Sequence, residues 1–301
     1  MSAPPFLELP AGATARTVST ARGTFASFMA GPEPAEARGT VLLVPGITGS
    51  KEDFIAVLEP IGRAGFRVVA YDQRGQYETP ADQRGDTVRR EAATDAEPWT
   101  VAGFAADLLS LVQALGHRPV HVVGHSFGGI VARAAVIAEP ALFSSLILLD
   151  SGPAAVPARH AQTLIQLAAL LDAQGLGPVW EIRQAADRDA GVAEPDDPQV
   201  REFLRRRFFA NDPESLAGIA RLLATEPDRT EELAATGVPV LVAFGANDLD
   251  SWDPEIQVEV ASRLGVPYVS FPEAAHSPAA ESPTDTALAL VSFWSGLESA
   301  G

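Results

Sequence analysis

Two hydrophobic patterns alternate along this chain. Residues 14–19 and 24–29 read as short strands on either side of Arg22-Gly23, which predicts a hairpin. From residue 40 the strands become continuous apolar runs, at 40–44, 66–71, 119–124, 146–149, 238–244 and 266–271. Unbroken apolar runs suit strands covered on both faces. Segments with helical character lie between or after them, at 54–64, 101–115, 130–138, 253–264 and 283–297, with Gly65 and Gly116 closing the first two. Regular alternation of strand and helix predicts an α/β fold built on a mainly parallel sheet of eight strands, with helices on both faces. The rhythm breaks once. Residues 160–173, 179–188, 199–209 and 213–225 have helical character with no strand among them. That predicts a helical cap over 154–234, inserted after the sixth strand into a core formed by 1–153 and 235–301. Residues 76–98 are polar and turn-rich and read as a surface excursion.

Composition narrows the function classes. With 301 residues, 47% of them hydrophobic, the chain can bury a sizeable core. A net charge of -17 supplies no basic surface for replacing phosphate counterions, so no nucleic-acid partner is expected. The charge reads instead as a solubility feature. There are no cysteines, which excludes disulfides and thiolate chemistry. The histidines are His117, His121, His125, His160 and His276, and none has metal-motif spacing, so neither a metal nor an organic cofactor is expected. Residues 1–10 lack a charged segment followed by an apolar one, and no apolar stretch reaches about 18 residues. The expectation is a cytoplasmic monomer or homodimer acting on a small molecule, with no membrane partner.

The chemistry centres on Val122-Val123-Gly124-His125-Ser126-Phe127-Gly128-Gly129. An apolar strand enters this G-x-S-x-G sequence and a helix leaves it, the context of a nucleophile elbow. Small residues at 124 and 128 let strand and helix approach behind the Ser126 hydroxyl. A serine hydroxyl is a poor nucleophile at neutral pH; it needs a base, and the base needs an orienting group.

Five ordered segments carry a resemblance: Val44-Pro45-Gly46-Ile47-Thr48-Gly49, Tyr71-Asp72-Gln73-Arg74-Gly75, the serine motif, Gly245-Ala246-Asn247-Asp248, and His276-Ser277-Pro278 with Glu281. Over about residues 14–297 the chain resembles the α/β-hydrolase fold superfamily, in particular its capped serine esterases, lipases and haloperoxidase-like members. The resemblance implies Ser126 as nucleophile, Asp248 as acid and His276 as base, in the family's chain order. It implies an oxyanion hole from the backbone N–H groups of Ile47 and Phe127. Asp250 and Asp150 stay open as alternative acids, since some relatives place the acid after the earlier strand. Two departures affect the loops: Gly75 is followed by Gln76, Tyr77, Glu78 and Thr79 instead of a second glycine and a small hydroxyl residue, and Ala275 stands where glycine is common.

Other residues carry weaker expectations. Trp99, Trp180, Phe208, Phe209 and Trp252 are candidates for the substrate pocket or for plain packing. His125 is expected to be structural, Asp72 and Arg74 to organise the loop behind the pocket, and Glu281 to support the histidine loop or a helix start. Arg205, Arg206 and Arg207 read as the solvated face of an amphipathic helix. The expected activity is cleavage of a carboxylic ester, thioester or lactone of a small to medium, partly apolar substrate through an acyl-enzyme. Same-fold alternatives are perhydrolysis, carbon–carbon bond hydrolysis and acyl transfer to an acceptor other than water. A protein that keeps the fold only for binding or scaffolding is the non-enzymatic rival.

Overall fold

A computed structural model describes residues 1–82, 99–116, 119–189, 191–249 and 251–300. Most of the predicted excursion, together with His117 and Asp250, lies outside the described residues.

The first half contains β1 (Thr14–Thr20), β2 (Gly23–Ala30), β3 (Thr40–Val44), α1 (Ile55–Arg63), β4 (Arg67–Tyr71), α2 (Val101–Leu115), β5 (Val120–His125), α3 (Phe127–Ala138) and β6 (Phe143–Leu149). Five helices follow: α4 (Ala158–Gln174), α5 (Leu176–Asp189), α6 (Pro198–Phe209), α7 (Pro213–Thr225) and α8 (Thr230–Ala235). The chain then returns through β7 (Val240–Gly245), α9 (Pro254–Leu264), β8 (Tyr268–Phe271), α10 (Pro278–Glu281) and α11 (Pro283–Ala300).

The eight strands form one sheet in the order β1-β2-β4-β3-β5-β6-β7-β8. The β1–β2 and β2–β4 pairs are antiparallel and the other five are parallel. β3, β5 and β7 are buried at every position, as their apolar runs require. One apolar layer packs α2, α3 and α9 on the sheet; another packs α1 and α11 on the opposite face. The C-terminal ends of β5, β6 and β7 lie side by side, so the turns that follow them meet in space.

Strand ends differ from the sequence expectation by a few residues. β8 starts at Tyr268, two residues later than the apolar run at 266. Pro267 has no N–H to give the ladder, although its carbonyl accepts the Val242 N–H at 3.2 Å. β6 begins at Phe143, three residues earlier than expected, because Ser145 is buried within a strand that the apolar count excludes.

Among the described residues, the regular structure between β6 and β7 is all helical, with α8 as a fifth helix that the sequence pattern did not separate. α4 packs on α7, and an apolar cluster of Ala168, Leu171, Val179, Phe208, Leu216, Ala217 and Ala220 joins α4 to α7. α8 instead packs on α3 and α9, in the main body.

The reading of Arg205–Arg206–Arg207 needs correction. Successive helix residues are turned by about 100°, so three in a row cannot share one face. Arg205 is exposed, whereas Arg207 is fully buried and pairs with Asp53 Oδ1 at 2.6 Å. Asp53 sits in the 3₁₀ turn Lys51–Phe54 that follows β3, so this ion pair ties α6 to the main sheet.

Candidate active site

Ser126 is the single residue between β5 and α3, with φ 53° and ψ -121°. A positive φ in a non-glycine residue is strained and persists only where the surroundings fix it. Here they do: the Ser126 N–H donates to the Leu149 carbonyl at 3.0 Å, and its carbonyl accepts the Gly129 N–H at 2.9 Å. The glycines explain how the turn closes. A Cβ on Gly124 would run into the Gly128–Gly129 backbone, and one on Gly128 into the Val44 carbonyl.

The loop after β3 passes directly over this serine. A Cβ on Gly46 would lie 3.0 Å from Ser126 Cβ, closer than ordinary contact, so glycine leaves the serine room there. Two side chains from the loop after β4 hold it: Gln73 Nε2 donates to the Pro45 carbonyl at 2.8 Å, and Gln76 Nε2 to the Gly46 carbonyl at 3.2 Å. The N–H groups of Ile47 and Phe127 have no acceptor among the described residues. Phe127 opens α3, where a free N–H is the rule and the helix dipole favours negative charge.

His276 lies in the turn between β8 and α10, and its Nδ1 is 2.7 Å from Asp248 Oδ2. Asp248 follows β7 and is almost fully buried, whereas the His276 side chain remains 30% exposed. The histidine turn is fastened on both sides. Glu281 accepts the Ala275 N–H at 2.7 Å and the Ser277 N–H at 3.3 Å. His125 Nε2 donates to the His276 carbonyl at 2.6 Å, which fixes the proton on Nε2. Burial, reinforced by the neighbouring His276, pushes the His125 pKa down to about 3 and keeps the ring neutral. No hydrogen bond joins Ser126 Oγ to His276 among the described residues; the histidine's hydrogen bond there is to Asp248.

Asp150, the alternative acid, is also buried beside Asp248, but His276 Nδ1 meets Asp248. One oxygen of each acid and one ring nitrogen of His276 lie within 4.8 Å of one another.

The aromatic candidates divide into two groups. Trp180, Phe208 and Phe209 contact one another, with ring centroids 5.2–5.7 Å apart. Trp180 and Phe208 belong to the helical segment's apolar cluster, which also meets Ile47 and the Met1 side chain. Trp99 and Trp252 pack into the main core instead; Trp252 is 1% exposed and lies against Gly152. A cavity of about 280 Å³ opens beside Trp252, and none of Ser126, Asp248 or His276 lines it.

The loop expectations translate into specific contacts. The Asp72 carboxylate accepts the Lys51 N–H at 2.7 Å and its Nζ at 3.0 Å. Arg74 grips Asp107 with two hydrogen bonds, of 2.6 and 2.7 Å. Sequence reasoning did not find the supporting roles of Gln73, Gln76 and Arg207. The N-terminal residues reach the same region: Ser2 Oγ is 2.8 Å from Ser277 Oγ, and Arg207 Nη2 donates to the Ser2 carbonyl at 2.6 Å.

A mostly parallel eight-stranded sheet with a strained serine between strand and helix is the architecture of the α/β hydrolases. The chain belongs to the alpha/beta hydrolase family, whose model matches residues 41–289. It is 32% identical over 222 residues to "Putative carbamate hydrolase RutD" of Variovorax paradoxus, covering 72% of this chain and 76% of that one. A hydrolase from Pseudomonas aeruginosa superposes with a TM-score of 0.71 at 26% identity, covering 95% of this chain and 99% of that one. A thermophilic esterase from Thermogutta terrifontis shares the fold at a TM-score of 0.72 and 24% identity, covering 94% of this chain and 99% of that one. Among the described residues, no helix is long and apolar enough to cross a membrane.

Proposed function

We propose that this protein is a serine hydrolase that cleaves a carboxylic ester of a small to medium, partly apolar substrate through an acyl-enzyme. One observation carries the reading. A serine on a strained elbow, two N–H groups with no acceptor among the described residues and a histidine oriented by a buried acid lie in the turns that follow β3, β5, β7 and β8 at one edge of the sheet. In this reading Ser126 attacks the carbonyl carbon as His276 Nε2 takes the hydroxyl proton. The Asp248 carboxylate holds Nδ1–H and stabilises the imidazolium. The N–H groups of Ile47 and Phe127 receive the oxyanion, a contribution worth about 3 kcal/mol per donor in comparable sites. His276 then passes its proton to the departing alkoxide, and a water activated by the same ring releases the acid.

Helices α4 to α7, within the segment from 154 to 234, act as a cap in this reading. Its apolar cluster adjoins Ile47, and the Met1 side chain already packs there, which supports an apolar acyl or alkyl group. Trp180, Phe208 and Phe209 would line that side. A carbamate is the second substrate class to test, because the relative from V. paradoxus is named a carbamate hydrolase and a carbamate carbonyl makes the same demand on an oxyanion hole. A fluorophosphonate probe followed by peptide mass mapping tests the nucleophile. The expected adduct is on Ser126 alone, lost in Ser126→Ala; labelling at any other residue contradicts the proposal.

A further inference from the structure

The end of β6 presents an arrangement that the reaction above leaves unexplained. Asp150 follows Leu149 with φ 43°, a left-handed conformation that a non-glycine residue adopts only when held there. Its N–H donates to the Ala243 carbonyl at 2.8 Å. The side chain turns toward β7, where Oδ1 accepts the Gly245 N–H at 3.0 Å. It is fully buried, and among the described residues Oδ2 has no donor in reach. What that carboxyl group does meet is the side chain of Asp248.

Two carboxylates cannot share a buried contact while both are ionised. Around Asp150 the charged groups are Asp248 and Glu281, both acidic, with His276 beyond Asp248 and neutral His125 beneath the histidine turn. Burial first, and then the Asp248 charge, push Asp150 well above the usual carboxylate range. Asp248 is the member that faces an imidazole, so it is the one whose negative charge is compensated.

We infer that Asp150 is kept as a neutral carboxylic acid that donates its O–H to the Asp248 carboxylate, so that the acid limb behind His276 is a carboxyl–carboxylate pair holding one proton. Asp150 is then a positioning residue. Its proton occupies one side of Asp248 and leaves the other oxygen aimed at Nδ1. The role assigned to Asp248 rests on the function proposed above; the proton on Asp150 does not.

The experiment uses the full chain as wild type and as Asp150→Asn, Asp150→Leu and Ser126→Ala. Infrared difference spectra with ¹³C-labelled aspartate at neutral pH are expected to show a protonated-carboxyl C=O band in wild type and Ser126→Ala, lost in Asp150→Asn. A group kept protonated by folding loses stability as pH rises, because above its unfolded pKa the native state binds the extra proton. Urea midpoints of Asp150→Asn should therefore gain on wild type progressively as pH rises above about 4. The amide keeps both hydrogen bonds, so Asp150→Asn should hold kcat within about threefold, while Asp150→Leu should lose on the order of tenfold in kcat with KM unchanged. Absence of the band, with parallel urea midpoints at every pH, overturns the inference. A band that appears only after chelation also overturns it, because a cation would then bridge the pair. If Ser126 proves not to be the nucleophile, the band and the urea midpoints still decide the matter.

Discussion

The turns after the neighbouring strands β6 and β7 each carry an aspartate, yet the two carboxyls face different partners. Asp150 turns back into the sheet and meets a backbone N–H and another acid. Asp248 sits one turn beyond β7 and meets the Nδ1 of a partly exposed histidine. Sequence position alone favours neither. The difference lies in what each carboxyl faces: an imidazole can take up positive charge, whereas a carboxylate can only share a proton.

The strongest way to break the contrast is to neutralise each acid in turn. Asp248→Asn should lower kcat by roughly 10⁴, as loss of the orienting carboxylate does in serine hydrolases of known mechanism, whereas Asp150→Asn should stay near wild type. Equal losses in the two variants would dissolve the distinction. Steady-state kinetics on a chromogenic ester reads both.

A stability contrast comes next. Arg207→Met leaves Asp53 buried without its cation and should lower folding free energy by about 3 kcal/mol in urea titration. Removing exposed Arg205, whose partner Glu202 is 3.9 Å away and equally exposed, should change it by well under 1 kcal/mol.

The two buried histidines sharpen the picture through pH. His121 and His125 have pKa values pushed down by burial to about 4 and about 3. Above about pH 6.5 both folded and unfolded forms are neutral; below it the unfolded chain binds protons that the folded chain refuses. Each should therefore remove stability as pH falls from about 6.5 toward 4, with a limiting slope of about 1.4 kcal/mol per pH unit. Urea midpoints of a His121→Gln variant against wild type over that range check it: the gap should narrow on acidification. The smallest expected effect on activity is at Gln76→Ala, which frees the Gly46 carbonyl and should cost about 1 kcal/mol in kcat/KM, roughly fivefold.

The parts of the molecule that could be read from sequence are those where one local rule decides. Buried parallel strands are apolar at most positions, so β3, β5 and β7 stand out. The elbow needs small residues where strand and helix touch, so Gly124 and Gly128 mark Ser126. The supporting contacts were hidden because they join residues far apart in sequence. Gln73 and Gln76 look like ordinary loop polar residues until their amides meet the Pro45 and Gly46 carbonyls. His125 gives no sign that its ring reaches the His276 carbonyl, 151 positions away. Arg207 was misread because the arginine run was treated as one surface, when helix geometry turns its third member inward. Helix α8 was missed because six residues give too little periodicity to register.

Pre-steady-state hydrolysis of p-nitrophenyl esters of short and medium chain length, in wild type and Ser126→Ala, tests the central claim most directly. The account predicts a burst of p-nitrophenol equivalent to one site per chain in wild type, followed by slower turnover, and neither phase in a folded Ser126→Ala protein. Turnover of equal size in the two proteins would contradict it.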